Sequence, residues 1–336
     1  MSRPTLRSDR GERAWRGPEG RRAVTGWALL LGLLAGPALA QEPEPWWPSE
    51  WGPDDERGAV HRITPAKVLE AAGLIREGRV YSLGQVYEPG IPLFGTRHYS
   101  LTIPGAPTGG PMGADALVYN DEMFSGEIGQ IGTQFDGLGH IGRRLGDEDV
   151  YYNGVTGSEL YGATGLRRLG IENVGPIVTR GVLIDVAGYR GVERLEPGYV
   201  ITPADLEGAL ARQGVEIRPG DAVFIRSGHA ALWRVDNEAY NAAEPGIGIA
   251  ATDWLVGRRI VLTGADSWSG EVIPPEDPER PFAVHQRLIM ENGIYNLENL
   301  NLDALAEDEA WEFAFVFSPL PLRGATGSPG NPIAIR

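Results

Sequence analysis

The chain has 336 residues, a formal net charge of −15 and no cysteine. Disulfides, thiolate metal sites and a cysteine nucleophile are excluded, and so acidic a surface repels nucleic acid and anionic lipid heads. The 47 glycines and 26 prolines, beside 42% hydrophobic and 22% charged residues, describe a globular protein of many turns and short strands rather than a helical bundle.

Residues 1–40 read as an export leader. Seven arginines against three acids precede an apolar run at 27–39, and Ala38-Leu39-Ala40 gives a small-x-small cleavage pattern before Gln41. Cleavage after Ala40 leaves a mature chain of charge −19, periplasmic or secreted and with no membrane insertion. Arg21-Arg22 also admits twin-arginine export of a folded, cofactor-loaded protein. Residues 41–62 are too rich in proline for regular structure, yet hold Trp46, Trp47 and Trp51, which predicts an irregular arm packed on the body. From 63 to 336 we expect one domain. Thr64-Pro65 and Thr202-Pro203 each read as an N-cap followed by proline at the first helical position, with helices running to about Gly78 and Gly214. Strands are predicted at 80–86, 181–187, 221–226, 259–263 and 311–317, and a helix carrying His285 between Pro281 and Gly293. These elements predict an α/β domain with a mixed sheet, since regular strand-helix alternation is missing and no phosphate-binding glycine fingerprint follows a strand.

The chemistry concentrates at residues 132–140, G-T-Q-F-D-G-L-G-H. Three glycines in nine residues leave few packing side chains and allow positive φ or close approach of backbone to a ligand. Asp136 and His140 supply an oxygen donor, a nitrogen donor and a proton carrier at one place. His285 carries Phe282 at i−3 and Ile289 at i+4, so it points inward; Glu298 alternates with Leu297 and Leu300 on a partly buried strand. A cation between two such costly polar groups explains both. Of the remaining histidines, His61 and His98 read as surface or hydrogen-bonding residues, whereas His229 ends a strand and is a candidate to line a substrate pocket with Trp268 and Phe94. Trp233 could join that wall, with core packing as its alternative. Ser227 and Ser267 lack a nucleophile-elbow context, which makes a serine hydrolase the weaker enzyme reading.

Gln130 to His140, followed by Asp266-Ser267, His285 and Glu298, resembles the cyclase family of metal-dependent hydrolases, which includes bacterial kynurenine formamidase and isatin hydrolase. The W-G-P-D-D-E-R-G-A start at Trp51, the Y-N-G at Tyr152 and the E-P-G-I at Glu244 are similar to one branch of it. The resemblance implies a swivelling β/β/α single domain, assembled as a homodimer or homotetramer. Its signature, H-x-G-T-H-x-D-x-P-x-H, maps Asp136, His285 and Glu298 onto metal ligands and His140 onto the histidine beside the reactive water. Gln130 and Gln134 stand where the family has metal-binding histidines, and Leu138 replaces the proline.

A glutamine carbonyl is a neutral oxygen donor, weaker than imidazole for zinc and better suited to harder ions such as manganese. The expectation is therefore one divalent ion, Mn2+ or Zn2+, rather than two, held by Asp136, His285 and Glu298 with Gln130 and Gln134 as weak ligands. Three strong ligands leave a position for water, whose pKa a divalent ion lowers toward neutrality. His140 takes or relays the proton. The implied function is hydrolysis of an amide or lactone bond in a small cyclic or N-acyl substrate, of the amidohydrolase or arylformamidase class. The alternative is a non-catalytic small-molecule-binding protein, or a degenerate enzyme, on the same scaffold.

Overall fold

The structure, a computed structural model, describes residues 45–336. The leader and the first four residues of the arm lie outside the described residues.

Nine strands form one mixed sheet: β1 (Val80–Ser82), β2 (Gln134–Asp136), β3 (Ile177–Asp185), β4 (Ala222–Arg226), β5 (Leu262–Ala265), β6 (Tyr295–Glu298), β7 (Glu312–Phe317), β8 (Gly327–Pro329) and β9 (Ile333–Ile335). Their spatial order is β1-β9-β7-β3-β4-β5-β6-β2-β8. β3, β4, β5 and β6 run parallel, while β7, β9, β1 on one flank and β2, β8 on the other pair antiparallel. The parallel centre is buried on both faces, and β3 and β4 are accordingly near-continuous apolar runs, Val182-Leu183-Ile184 and Val223-Phe224-Ile225.

Both Thr-Pro starts behave as read. Thr64 accepts from Lys67 N at the head of α1 (Pro65–Ala72). Thr202 and Asp205 form a reciprocal capping box at α2 (Pro203–Gln213), which ends at Gly214 in the left-handed conformation, φ 70°. α1 stops at Gly73 rather than near Gly78, and the strand after it is three residues long. α1 and α2 pack on β3, and α2 also packs on α3 (Ile249–Gly257).

The arm is irregular until a 3-10 turn at Gly58–Arg62, and Asp55 ties it down. That buried carboxylate accepts from Arg57 N, Gly58 N and the Tyr152 hydroxyl, with His61 Nε2 at 2.8 Å. Two ribbons leave the body between β1 and β2: Tyr99–Thr102 paired with Met123–Gly126, and Gly109–Met112 paired with Leu117–Tyr119. Among the described residues no helix is long and apolar enough to cross a membrane.

Candidate metal centre

Strand alternation builds the site. On β2, Phe135 faces the core, stacked on Tyr295 at 4.9 Å, and this turns Gln134 and Asp136 to the opposite face. Antiparallel register then sets Asn296 opposite Asp136 and Glu298 opposite Gln134, with Leu297 beside Phe135 on the core side. Four polar side chains from two strands thus share one buried face. The glycines around them serve packing within the protein rather than approach to a ligand. A Cβ on Gly137 would lie 2.8 Å from Thr326 O, and Gly132 turns the chain at φ 61° against the Tyr87 ring.

His285 arrives from the other side. The predicted helix is only Ala283–His285, opening into a wider turn at Gln286–Met290. Glu271 fixes its start: one carboxylate oxygen accepts from Val284 N at 2.9 Å, and the other faces His285 Nδ1 at 3.2 Å. This holds Nε2 at 3.1 Å from Glu298 Oε1 and 3.9 Å from Asp136 Oδ2. Sequence reading missed Glu271. It lies fourteen residues before His285 with a proline-rich loop between, so no local spacing links the two.

One ligand atom each from Asp136, His285 and Glu298 lies within 4.8 Å of the others, and all three residues are buried. Three of the four carboxylate oxygens have partners. Asp136 Oδ1 accepts from Gln130, Glu298 Oε1 accepts from Asn296 and faces His285, and Glu298 Oε2 accepts from Gln134 at 2.5 Å. Asp136 Oδ2 is buried with none. Burial raises the Glu298 carboxyl well above the usual carboxylate range, with the Asp136 charge adding to it. Burial alone would lower the His285 imidazole, but Glu271 and Glu298 carry it well above 6.5. The cluster is short of positive charge, which a bound metal cation would supply. Its donor set, one imidazole and two carboxylates with a carboxylate behind the imidazole, is that of a divalent metal site.

The two glutamines lie in the site, each against one carboxylate. Gln130 receives a hydrogen bond from Arg97 on Oε1 at 3.2 Å and gives one to Asp136 from Nε2 at 3.1 Å. Arginine only donates and carboxylate only accepts, so the amide orientation is dictated by its neighbours. Gln134 likewise turns its amide nitrogen to Glu298. Both hold a carboxylate oxygen by donation from the amide nitrogen.

His140 sits at the rim, Nε2 3.9 Å from Asp136 Oδ1, its side chain 20% exposed. Burial lowers its pKa below 6.5 despite the Asp136 charge, which keeps the ring neutral and able to accept a proton. A cavity of about 170 Å3 opens above the cluster, walled by Phe94, Trp268, Phe282 and Ile141. Phe94 stacks on Trp268 at 4.3 Å. His229 is not part of this wall. It is fully buried, its Nε2 is 3.0 Å from the Tyr240 carbonyl, and Trp233 packs against the same tyrosine. Glu244 positions the Trp268 wall by accepting from Trp268 N, Ser269 N and the Ser269 hydroxyl; burial pushes its carboxyl up to about 8. Ser227 donates to buried Asp266, an arrangement without an adjacent imidazole base. His61 and His98 lie apart, bonded to Asp55 and Ser125.

The model of the family described as putative cyclase matches residues 81–272, more than half of the chain. The chain belongs to the cyclase family. A solved structure described as a novel cyclase is 34% identical, with TM-score 0.77, covering 85% of this chain and 98% of that one. Isatin hydrolase A from Labrenzia aggregata, bound to benzyl benzoate, is 20% identical with TM-score 0.57, over 79% of this chain and 94% of that one. Isatin hydrolase A from Ralstonia solanacearum is 23% identical with TM-score 0.56, over 81% and 98%. These last two share the fold. No match was found among curated proteins. The mixed α/β sheet is thus that of a cyclase-family domain.

Proposed function

We propose that this protein is a metal-dependent hydrolase that opens an amide or lactone bond of a small cyclic or N-acyl substrate. The observation that carries the reading is the unpartnered, buried Asp136 Oδ2 beside His285 Nε2 and Glu298. Isatin hydrolases of the same fold lend support at the level of chemistry class.

Asp136, His285 and Glu298 would hold one divalent ion, manganese or zinc. A divalent cation there polarises a carbonyl and makes water nucleophilic near neutral pH. The chain's own residues do the rest. Glu271 fixes the His285 tautomer with the proton on Nδ1, leaving Nε2 as the donor atom. Gln130 and Gln134 each hold one carboxylate oxygen. His140, neutral and at the rim, accepts the proton that water loses on attack and returns it to the leaving nitrogen or oxygen. Phe94, Trp268 and Phe282 exclude bulk water from the cavity. The same reading takes the mature chain as exported, beginning at Gln41, and assembled as a homodimer or homotetramer.

The test is hydrolysis of lactams, lactones and N-acyl anilines before and after chelation. We expect turnover to vanish on chelation and return with Mn2+ or Zn2+. Turnover indifferent to chelation would overturn the reading. A binding protein without catalysis is favoured by one fact: three of the four carboxylate oxygens are satisfied by the protein itself. In that case a Gln130→His, Gln134→His double variant gains tight zinc where the wild type has none.

A further inference from the structure

The cavity above the cluster contains one permanent cation, Arg97, in a chain that is otherwise strongly acidic. Its neighbours fix its place. One guanidinium nitrogen donates to Gln130 Oε1, and the group lies over the Phe94 ring, 5.6 Å from its centroid. Among the described residues it has no ion-pair partner. A guanidinium carries five N–H donors, and on this cavity-lining side chain a single 3.2 Å bond to a neutral amide leaves the others without a protein partner among the described residues. Lone arginines over aromatic faces are preorganised for planar, bidentate recognition of carboxylate.

Position decides what Arg97 can touch. It is separated from Asp136 by the whole Gln130 amide, so it stands away from the atoms that would polarise a reacting carbonyl. Burial grades along the same line. Glu298 and His285 at the deep end are 2% and 5% exposed, while Phe94 beside Arg97 is 40% exposed. Between the two ends runs the aromatic wall of Phe94, Trp268 and Phe282. The volume, about 170 Å3, is below the ~300 Å3 at which sites for drug-sized ligands begin, so the occupant is a single ring with short substituents.

We propose that Arg97 is a specificity-determining residue that pairs with a carboxylate on a small aromatic substrate whose scissile carbonyl lies at the deep, acidic end. The deep carboxylates reinforce this orientation, since an anionic substituent is repelled from Asp136 and Glu298 and drawn to Arg97. The substrate is then a single-ring aromatic compound whose acid group stands apart from the bond that is cut. This rests on the hydrolase reading only for the bond that is cut; the acid-binding end stands independently of it.

Calorimetric titration of the mature protein with benzoate, benzamide and acetate tests the pairing, in chelated and in metal-loaded samples. Benzoate and benzamide share the ring and differ in charge; acetate has charge without the ring. In chelated protein, where no metal competes for the carboxylate, benzoate should bind about tenfold or more tighter than benzamide. Acetate should show no comparable binding. Arg97→Met should abolish the preference, with benzamide binding changed less than about threefold, and Arg97→Lys should keep part of it. Equal binding of benzoate and benzamide to the wild type would overturn the inference. So would a preference that survives Arg97→Met, which would make Arg97 a residue that only orients Gln130. A benzoate preference that depends on Arg97 in a protein that never takes up metal would uphold this inference and sink the hydrolase reading.

Discussion

At the scale of single residues, the site works by assigned partners for three of its four carboxylate oxygens, with Asp136 Oδ2 left buried and without one. Glu271 is the case with the sharpest consequence. Its two oxygens cap a helix start and set the His285 ring, so Glu271→Gln keeps the shape and weakens the hold on the imidazole. Metal affinity should fall about 10- to 100-fold, measured by competition with a chromophoric chelator. His140 predicts a pH dependence. Its pKa lies below 6.5 because burial disfavours the charged ring, and a proton acceptor must be neutral, so kcat/KM should rise with pH with its midpoint below 6.5. His140→Ala should lower kcat by about 100- to 10,000-fold without removing metal. Asp136, His285 and Glu298 were legible in the sequence because buried acids and histidines among apolar neighbours need an explanation. The end of Gln130 that meets Asp136 was not legible in the sequence, because an amide offers both an oxygen and a nitrogen. Arg97, thirty-three residues from Gln130 and on another segment, dictates which end of that amide faces Asp136.

Among elements, punctuation was more readable than extent. Thr-Pro starts and Gly214 were visible because capping is a local matter of a hydroxyl, a missing N–H and a left-handed residue. Thr202→Ala removes the reciprocal cap and should cost about 1 kcal/mol in a urea titration, with activity unchanged. The central strands were visible as apolar runs, though β3 begins four residues before the expected 181. Sheet order was not readable, since β2 joins β6 and β8 from more than 150 residues away. The helix expected between Pro281 and Gly293 was read too regular, because its start is set by Glu271 from outside the segment. His229 was misplaced for a similar reason. A strand end does not reveal which way the following turn points, and here it turns the ring inward onto Tyr240.

For the whole molecule, a cysteine-free chain relies on its hydrophobic core, and the arm adds a pH-sensitive tie. Burial would raise the Asp55 carboxyl, but donors from Tyr152, Arg57 N, His61 and Gly58 N hold it below 3.8. A depressed carboxyl contributes stability that is present above the unfolded value and lost as pH falls through the folded one. Unfolding midpoints should therefore drop as pH is lowered below about 3.8, and Asp55→Asn should flatten that slope while lowering stability at pH 7. Expressed with its leader, the chain should yield a mature N-terminus at Gln41 on terminal sequencing; an intact Met1 in exported protein would contradict cleavage after Ala40. The measurement that bears most directly on the whole account is metal content by plasma spectrometry of purified wild type beside Asp136→Ala. The account predicts about one divalent ion per chain in the wild type and almost none in the variant. Equal metal in both, or none in either after incubation with Mn2+ and Zn2+, would contradict it.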